Sequence, residues 1–191
     1  MTTLSIAYFP PISYFSLLRR GEVVFEGCEN YQKQSWRNRC NILSANGVLP
    51  LQVPVVHEDG TFKHPIREIK VDYTRDWVTL HKRAIDSAYR SSAFFEYYRD
   101  EVFALLDARP ALLWDLDRSV TDFFLKVYGM PCPSETMVYV GNQADIHPKH
   151  EDLYYNHKPY WQVFNPKWGF VPNLSIMDLL FNEGPSSVDF L

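Results

Sequence analysis

Three consecutive amphipathic segments in the middle of the chain restrict its fold more than any other sequence feature. Apolar residues recur there every three or four positions, and this spacing places them on one face of a helix. The first helix is predicted after Tyr73, with Asp76 or Thr74 as its cap. The second begins near Ser91 or Ser92 and stops before Pro110, since helices end before a proline. The third spans about 111–128 and is followed by Gly129, a common C-terminal stop.

A strand, a short helix and a second strand are predicted before these helices. Leu4–Tyr8 is an apolar run that ends at two prolines, Tyr14–Leu18 suits a short helix, and Glu22–Phe25 contains a β-branched pair. This order is typical of an α/β unit. The predicted fold class is therefore mixed α/β, with a small N-terminal β-rich α/β sheet on which the three central helices pack. The length of 191 residues suits a single domain, 1–191.

Other short elements are predicted from turn and capping signals. An Asn-Gly pair at 46–47 is a strong turn signal, so 37–43 and 48–56 are expected to pair as a hairpin. The remaining elements are two short strands and a closing helix, over 66–71, 134–140 and 175–181. The closing helix is expected to begin with a capping box formed by Ser175 and Asp178.

The overall charge and composition restrict the class of partner. The formal net charge is −4 and the isoelectric point is about 5.8, which argues against a nucleic-acid-binding protein because such a surface would be basic. The N-terminus lacks the pattern of a signal peptide, and no apolar run is long enough for a membrane span. We therefore expect a cytoplasmic protein without membrane insertion. Thirty aromatic residues are compatible with a ligand pocket but do not by themselves indicate one.

The segment Tyr31–Asn41 concentrates positive charge in this acidic chain. It contains Lys33, Arg37 and Arg39, and no acidic residue occurs between Glu29 and Glu58. Read as a strand, it places all three cations on one face, because side chains alternate with a period of two. Guanidinium and ammonium groups suit an anion with several oxygens. The segment therefore predicts a site for an anionic small molecule, and the alternative is a set of solvated surface cations.

His81 and Cys40 each allow two interpretations. His81 is four residues from both Trp77 and Ile85, so it lies on the apolar face of the first central helix. It is either a hydrogen-bonded core residue or a group with a tuned pKa in a pocket. Cys40 is either a buried thiol or a nucleophile activated by its neighbour Arg39.

A metal site is not predicted. His147, His150 and Glu151 have the side chains of metal ligands, but Pro148 interrupts their spacing. The chain has neither an H-E-x-x-H motif nor a C-x-x-C pair. No cofactor is indicated by any other motif.

Several longer segments together resemble the WbqC-like protein family. They are AYFPPISYF near the start, ENYQKQSWRNRCNI, NGVLPLQVPV, LHKRAIDSAYRSSAFFEYY, and PYWQVFNPKWGFVPNLSIMDLLFNEGP near the end. The resemblance extends over nearly the whole chain and is closest to the branch found in Bacteroidetes-type bacteria. The chain departs from many relatives at Ala7-Tyr8, where a Gln-Pro pair often occurs, so a ligand contact made by that glutamine would be absent here.

By motif position, the resemblance implies a set of candidate site residues: Asn30, Tyr31, Lys33, Arg37, Asn38, Arg39, His81 and Asn173. Some family members carry the label of a glycine transferase in O-antigen biosynthesis. For such an acyl transfer to an amino sugar or sugar nucleotide, the three cations would hold the anion. His81 would act as the base and Asn38 would donate to the oxyanion, while the others would contact substrate. The alternative is a non-catalytic sugar-nucleotide-binding or pathway-assembly protein.

Overall fold

The computed structural model describes residues 2–56, 64–141, 144, 146–150 and 152–191. Five strands and six α-helices lie in these ranges. The strands are β1 (Thr2–Leu4), β2 (Val23–Phe25), β3 (Arg39–Ser44), β4 (Gly47–Gln52) and β5 (Ser134–Glu135). The helices are α1 (Ile12–Arg20), α2 (Trp77–Tyr89), α3 (Phe95–Asp107), α4 (Leu113–Val127), α5 (Asn165–Trp168) and α6 (Ile176–Glu183). Short 3-10 helices span Trp36–Asn38, Ile66–Glu68 and Gly184–Phe190.

The N-terminal strands β1 and β2 form a parallel sheet with the late strand β5, in the order β1-β2-β5. β1 pairs with β2 from Thr2↔Val23 to Leu4↔Phe25, and α1 makes the connection between them. The predicted strand–helix–strand order is therefore confirmed. The first strand lies earlier than expected, because the chain leaves the sheet after Leu4. Residues 6–9 instead bury their side chains in the core, and Phe9 takes a φ of 39° before two prolines.

The predicted hairpin is confirmed in shorter form. β3 and β4 are antiparallel from Arg39↔Gln52 to Ser44↔Gly47. Gly47 has a φ of 102°, a conformation that glycine adopts without the steric cost of a Cβ atom. Residues 37 and 38 lie outside the hairpin, because they belong to the 3-10 helix that precedes β3.

The three central helices lie where the apolar periodicity predicts them. α2 packs on β3, α3 packs on α2 and α4, and α4 packs on the 3-10 helices at 36–38 and 66–68. At the start of α2, the Asp76 carboxylate accepts a hydrogen bond from the Thr79 amide, which caps the helix. The observed fold class is mixed α/β, as predicted. Of the three central helices, α2 packs on the hairpin strand β3, whereas α4 packs on the two 3-10 helices and α3 packs on its neighbouring helices.

Three local predictions are corrected. Residues 66–71 form a 3-10 helix followed by isolated bridges at Lys70 and Val71, and only Ser134–Glu135 of the late segment pairs as a strand. α6 has a Ser175 cap, whose hydroxyl accepts from the Met177 amide, but the capping box is absent. The Asp178 carboxylate is used elsewhere, since it accepts from the Tyr160 hydroxyl at 2.6 Å. In the ranges that the structure describes, no helix is long and apolar enough to cross a bilayer.

Candidate functional site

The cationic segment does not form one strand face. A turn at residues 32–35, in which the Ser35 hydroxyl donates to the Gln32 carbonyl at 2.7 Å, leads into the 3-10 helix Trp36–Asn38. Because a 3-10 helix has three residues per turn, Arg37 and Arg39 no longer point the same way. The prediction of one shared cationic face is therefore wrong, and the two arginines have different environments.

Arg37 lies in a buried ion pair with Glu29. The guanidinium donates through Nε to Glu29 Oε1 at 2.9 Å and through a terminal nitrogen to Oε2 at 2.5 Å, while the same nitrogen reaches the Ser5 hydroxyl at 2.6 Å. Arg37 is 4% exposed. Glu29, the acidic residue that precedes the cationic segment, balances the charge of Arg37 inside the protein. Through Glu29 and Ser5, Arg37 connects the 3-10 helix to the segments that follow β2 and β1.

Lys33 and Arg39 line an open cavity with a volume of about 440 Å³. Two of the other site residues implied by the resemblance, Tyr31 and Asn38, line the same cavity. The remaining lining residues were not predicted from the sequence: Gln34, Gln52, Pro54 and Val55. None of the described lining residues is acidic. We therefore take this cavity, called the Asn38–Arg39 cavity below, as the candidate site.

Two residues that line this cavity each have a buried polar atom without a hydrogen-bond partner in the described part of the chain. These atoms are Asn38 Oδ1 and Arg39 Nε. The Asn38 amide is oriented by its nitrogen, which donates to the Val53 carbonyl at 2.9 Å, while the Val53 amide donates to the Asn38 carbonyl at 2.8 Å. Because only the amide nitrogen can donate to that carbonyl, the side-chain oxygen is left over. One unpaired acceptor and one unpaired donor therefore belong to residues that line the same cavity.

Tyr31 is another of the residues that line the cavity. Burial raises the pKa of Tyr31 to about 12, and the neighbouring Arg39 and Arg37 oppose this shift. The phenol is therefore protonated at neutral pH and can donate a hydrogen bond to a ligand.

His81 lies behind the cavity wall. It is 5% exposed, and its Nδ1 is 2.9 Å from the Tyr8 hydroxyl. Burial lowers the pKa of His81 to about 4, an effect that a hydrogen bond with the Gln52 backbone partly offsets. A bond that raises an imidazole pKa is one in which the ring N–H donates. We therefore assign the single N–H of the neutral ring to the Gln52 carbonyl and the accepting role at Nδ1 to the Tyr8 contact. His81 on α2 therefore contacts both Tyr8, in the buried segment 6–9, and Gln52, the last residue of β4.

Asn30 and Asn173 do not lie at the cavity. Asn30 is exposed and forms an isolated backbone bridge with Pro65. Asn173, with a φ of 53°, accepts from the Ser13 amide at 3.1 Å and so supports the start of α1. It borders a small crevice that includes Trp36 and His147. Of the eight implied residues, the structure brings together Tyr31, Lys33, Asn38 and Arg39, while His81 touches the wall through Gln52.

A second cavity of about 460 Å³ is less suited to a charged ligand. It is lined by Val56, His64, Arg67, Glu68, Ile69, Lys70 and Leu112. It contains an acidic residue, and Arg67 is already engaged: its guanidinium pairs with Glu135, donates to the Gly27 carbonyl at 3.1 Å and lies 4.1 Å from the Trp114 ring. Its main cation is therefore balanced within the protein.

Comparison with known proteins identifies the family. The model of the WbqC-like protein family matches residues 7–150. The chain belongs to this family. The matched range includes the whole Asn38–Arg39 cavity and His81, whereas Asn173 lies outside it. The assignment to a Bacteroidetes-type branch stays a prediction, because the match concerns the family as a whole.

This WbqC-like protein is also similar to an uncharacterized protein of Mycobacterium tuberculosis (strain ATCC 25618 / H37Rv). The two are 27% identical over an alignment of 225 positions, which covers 96% of this chain and 94% of the relative. No solved structure matches the chain. The similarity therefore extends over both proteins nearly end to end without bringing an assigned activity.

Asp117 of α4 is a buried polar residue of the WbqC-like protein that the sequence analysis missed. It is 0% exposed, and both carboxylate oxygens lack hydrogen-bond partners among the residues described. Burial raises the pKa of Asp117 well above its ordinary value, and the charge of Arg37 only partly opposes this. The helical pattern contains a signal for it. Asp117 is four residues after Leu113 and three before Val120, and both of these are fully buried.

Two further interpretations of the sequence are decided by burial and position. Cys40 is 1% exposed, and burial raises the pKa of its thiol. The interpretation of Cys40 as an activated nucleophile is therefore wrong. Among the described residues, no three His, Cys, Asp or Glu side chains are grouped as metal ligands. Glu151, one of the three residues considered for a metal site, lies outside the described residues.

Proposed function

We propose that this WbqC-like protein binds a phosphorylated sugar of the nucleotide-sugar class in the Asn38–Arg39 cavity. The observation that supports this most is that two residues of the cavity lining each carry a polar atom without a hydrogen-bond partner in the described ranges, Asn38 Oδ1 and Arg39 Nε. A phosphate oxygen would accept from the guanidinium, and a sugar hydroxyl would donate to the amide oxygen. Buried polar groups without partners each cost about 1–3 kcal/mol, so a ligand that pairs both would recover this energy.

The rest of the cavity wall fits the same ligand class. Lys33 and Arg39 supply positive charge, and none of the described lining residues is acidic. Gln34 and Gln52 add amide groups for hydroxyls, while Pro54 and Val55 form an apolar portion of the wall. A cavity of about 440 Å³ is in the range of small-molecule sites. We place this binding function in the cytoplasm, as the sequence predicts.

Replacing Arg39 with alanine is expected to weaken binding of such a ligand about 10–150-fold, because a charge-assisted hydrogen bond contributes about 1.5–3 kcal/mol. A thermal-shift screen with nucleotide sugars, nucleotides, acyl-CoAs and simple phosphates measures this, since a ligand that binds only the folded state raises its melting temperature. Arg90→Ala is the matched control, because Arg90 is exposed and pairs only with Asp86 in the described ranges. Equal ligand responses in Arg39→Ala and the wild type would show that the ligand binds elsewhere.

The second candidate function is the glycyl or other acyl transfer to an amino sugar that the family resemblance implies, in surface-polysaccharide biosynthesis. One observation favours it: the neutral His81 imidazole contacts the backbone of Gln52, which lines the cavity. In this reaction the amine nitrogen bonds to the acyl carbon, the bond to the leaving group breaks, and a base takes the amine proton. Nδ1 of His81 would have to exchange the Tyr8 hydroxyl for the substrate amine.

The His81→Asn variant separates the two functions. We expect it to retain ligand binding, because His81 does not line the cavity. If the protein is a transferase with His81 as its base, turnover with a glycyl or acyl donor falls about 100-fold or more while the binding constant is unchanged. Tyr8→Phe is the matched variant, since it removes the same hydrogen bond and leaves the imidazole in place. Unchanged turnover in His81→Asn would exclude His81 as the base.

A further inference from the structure

Lys149 reaches the rim of the Asn38–Arg39 cavity from a distant part of the sequence. Its ammonium donates to Oε1 of Gln34, 115 residues earlier in the chain. Gln34 lines the cavity, and its left-handed backbone, with a φ of 58°, holds it in an exposed position. Lys149 is exposed as well. A third cation therefore stands beside the two that line the cavity.

A tight turn holds Lys149 in this position. The Lys149 amide donates to His147 Nδ1 at 3.2 Å, and the His150 amide donates to the His147 carbonyl at 3.1 Å. Ile146 and His147 border the same small crevice as Trp36, the first residue of the 3-10 helix that carries Asn38. The turn is thus packed beside the element that forms the candidate site.

The contact also orients the Gln34 amide. An ammonium group can only donate, so it faces the amide oxygen, and the two N–H donors of Gln34 are left for other partners. The rim therefore offers amide donors and the charge of Lys149, while Lys33 and Arg39 supply charge along the cavity wall. One phosphate group satisfies the lining cations. A second phosphate group linked to the first adds negative charge, which suits the Lys149 ammonium at the rim.

We infer that the cavity selects a diphosphate over a monophosphate and that Lys149 is the residue that recognises the second phosphate group. This inference rests on the proposed function and specifies its substrate class as a nucleoside diphosphate sugar. Lys149 acts here as a specificity residue, and the primary anion contact belongs to Arg39.

The test is isothermal titration of the full chain with inorganic pyrophosphate and with orthophosphate at one fixed ionic strength, because electrostatic binding depends on salt. The wild type is expected to bind pyrophosphate at least tenfold more tightly. In Lys149→Gln this preference is expected to fall to about threefold or less, with orthophosphate affinity unchanged. Lys158→Gln is the matched control for net charge, since Lys158 is exposed and donates to the Asp189 carbonyl. It is expected to keep the wild-type preference.

The outcomes separate the inference from the proposed function. A wild-type preference that survives in Lys149→Gln, or is lost equally in Lys158→Gln, overturns the role of Lys149. The proposed function stands in that case, provided that Arg39→Ala lowers affinity for both anions. The proposed function fails if neither anion binds, or if Arg39→Ala binds each anion with the same affinity as the wild type. The inference then fails with it.

Discussion

Replacing Arg37 with methionine is expected to lower the free energy of unfolding by about 3–5 kcal/mol. The substitution leaves the Glu29 carboxylate buried without its partner, and an uncompensated buried charge costs that much. In the same variant, Asp117 also loses the positive charge that partly opposes the rise of its pKa. Denaturation by urea, followed by circular dichroism, measures the change. A variant with wild-type stability would contradict the structural role assigned to the ion pair.

The double variant Glu29→Gln, Arg37→Met is the control for this prediction. It removes both charges, so it is expected to recover much of the stability lost in Arg37→Met, as replacement of buried ion pairs by neutral residues often does. Recovery would assign the cost to the unpaired carboxylate. The result also decides how binding data should be interpreted, because loss of ligand in an Arg37 variant would follow from unfolding. Arg39, which has no partner at Nε in the described ranges, is the clearer probe of the site.

Replacing Asp117 with asparagine is expected to stabilise the protein by at least about 1.4 kcal/mol at pH 7, because the amide does not ionise and a pKa difference of one between the folded and unfolded states corresponds to that free energy. The sign follows from proton binding. The folded pKa is raised above the ordinary value of 3.8, so below that value both states are protonated and no penalty exists. As pH rises from 3.8 toward the folded pKa, the unfolded carboxyl ionises while the folded one stays protonated, and stability falls by about 1.4 kcal/mol per pH unit. Asparagine removes this loss.

Urea denaturation of Asp117→Asn and the wild type between pH 3.5 and 8 measures the effect. The difference in unfolding free energy is expected to grow with pH in the range above 3.8. Asp115→Asn is the matched control on the same helix, because Asp115 is exposed in the first turn. Its change is expected to stay below about 1 kcal/mol. A difference for Asp117→Asn that does not vary with pH would show that the carboxyl is not held protonated in the folded state.

Local patterns predicted the local structure well. The apolar periodicity of α2, α3 and α4 depends on residues within four positions of one another, and so does the turn at Gly47. The helices and the hairpin could therefore be predicted from the sequence. The segment at 134–140 shows the limit of such patterns. It has the composition of a strand, but only Ser134 and Glu135 find a partner, because strand formation depends on a neighbouring strand.

By itself, the sequence determined the mixed α/β class, the order of the main helices, the family, and the local concentration of positive charge at 31–41. It also placed Tyr31, Lys33, Asn38 and Arg39 together, since they are near neighbours in the chain. Only the tertiary structure decided that Arg37 is paired with Glu29 while Arg39 faces the cavity, because one 3-10 turn changed their directions. It also brought Gln52 and Lys149 to the same site. Contacts between residues far apart in sequence depend on packing of the whole chain, and no local pattern records them.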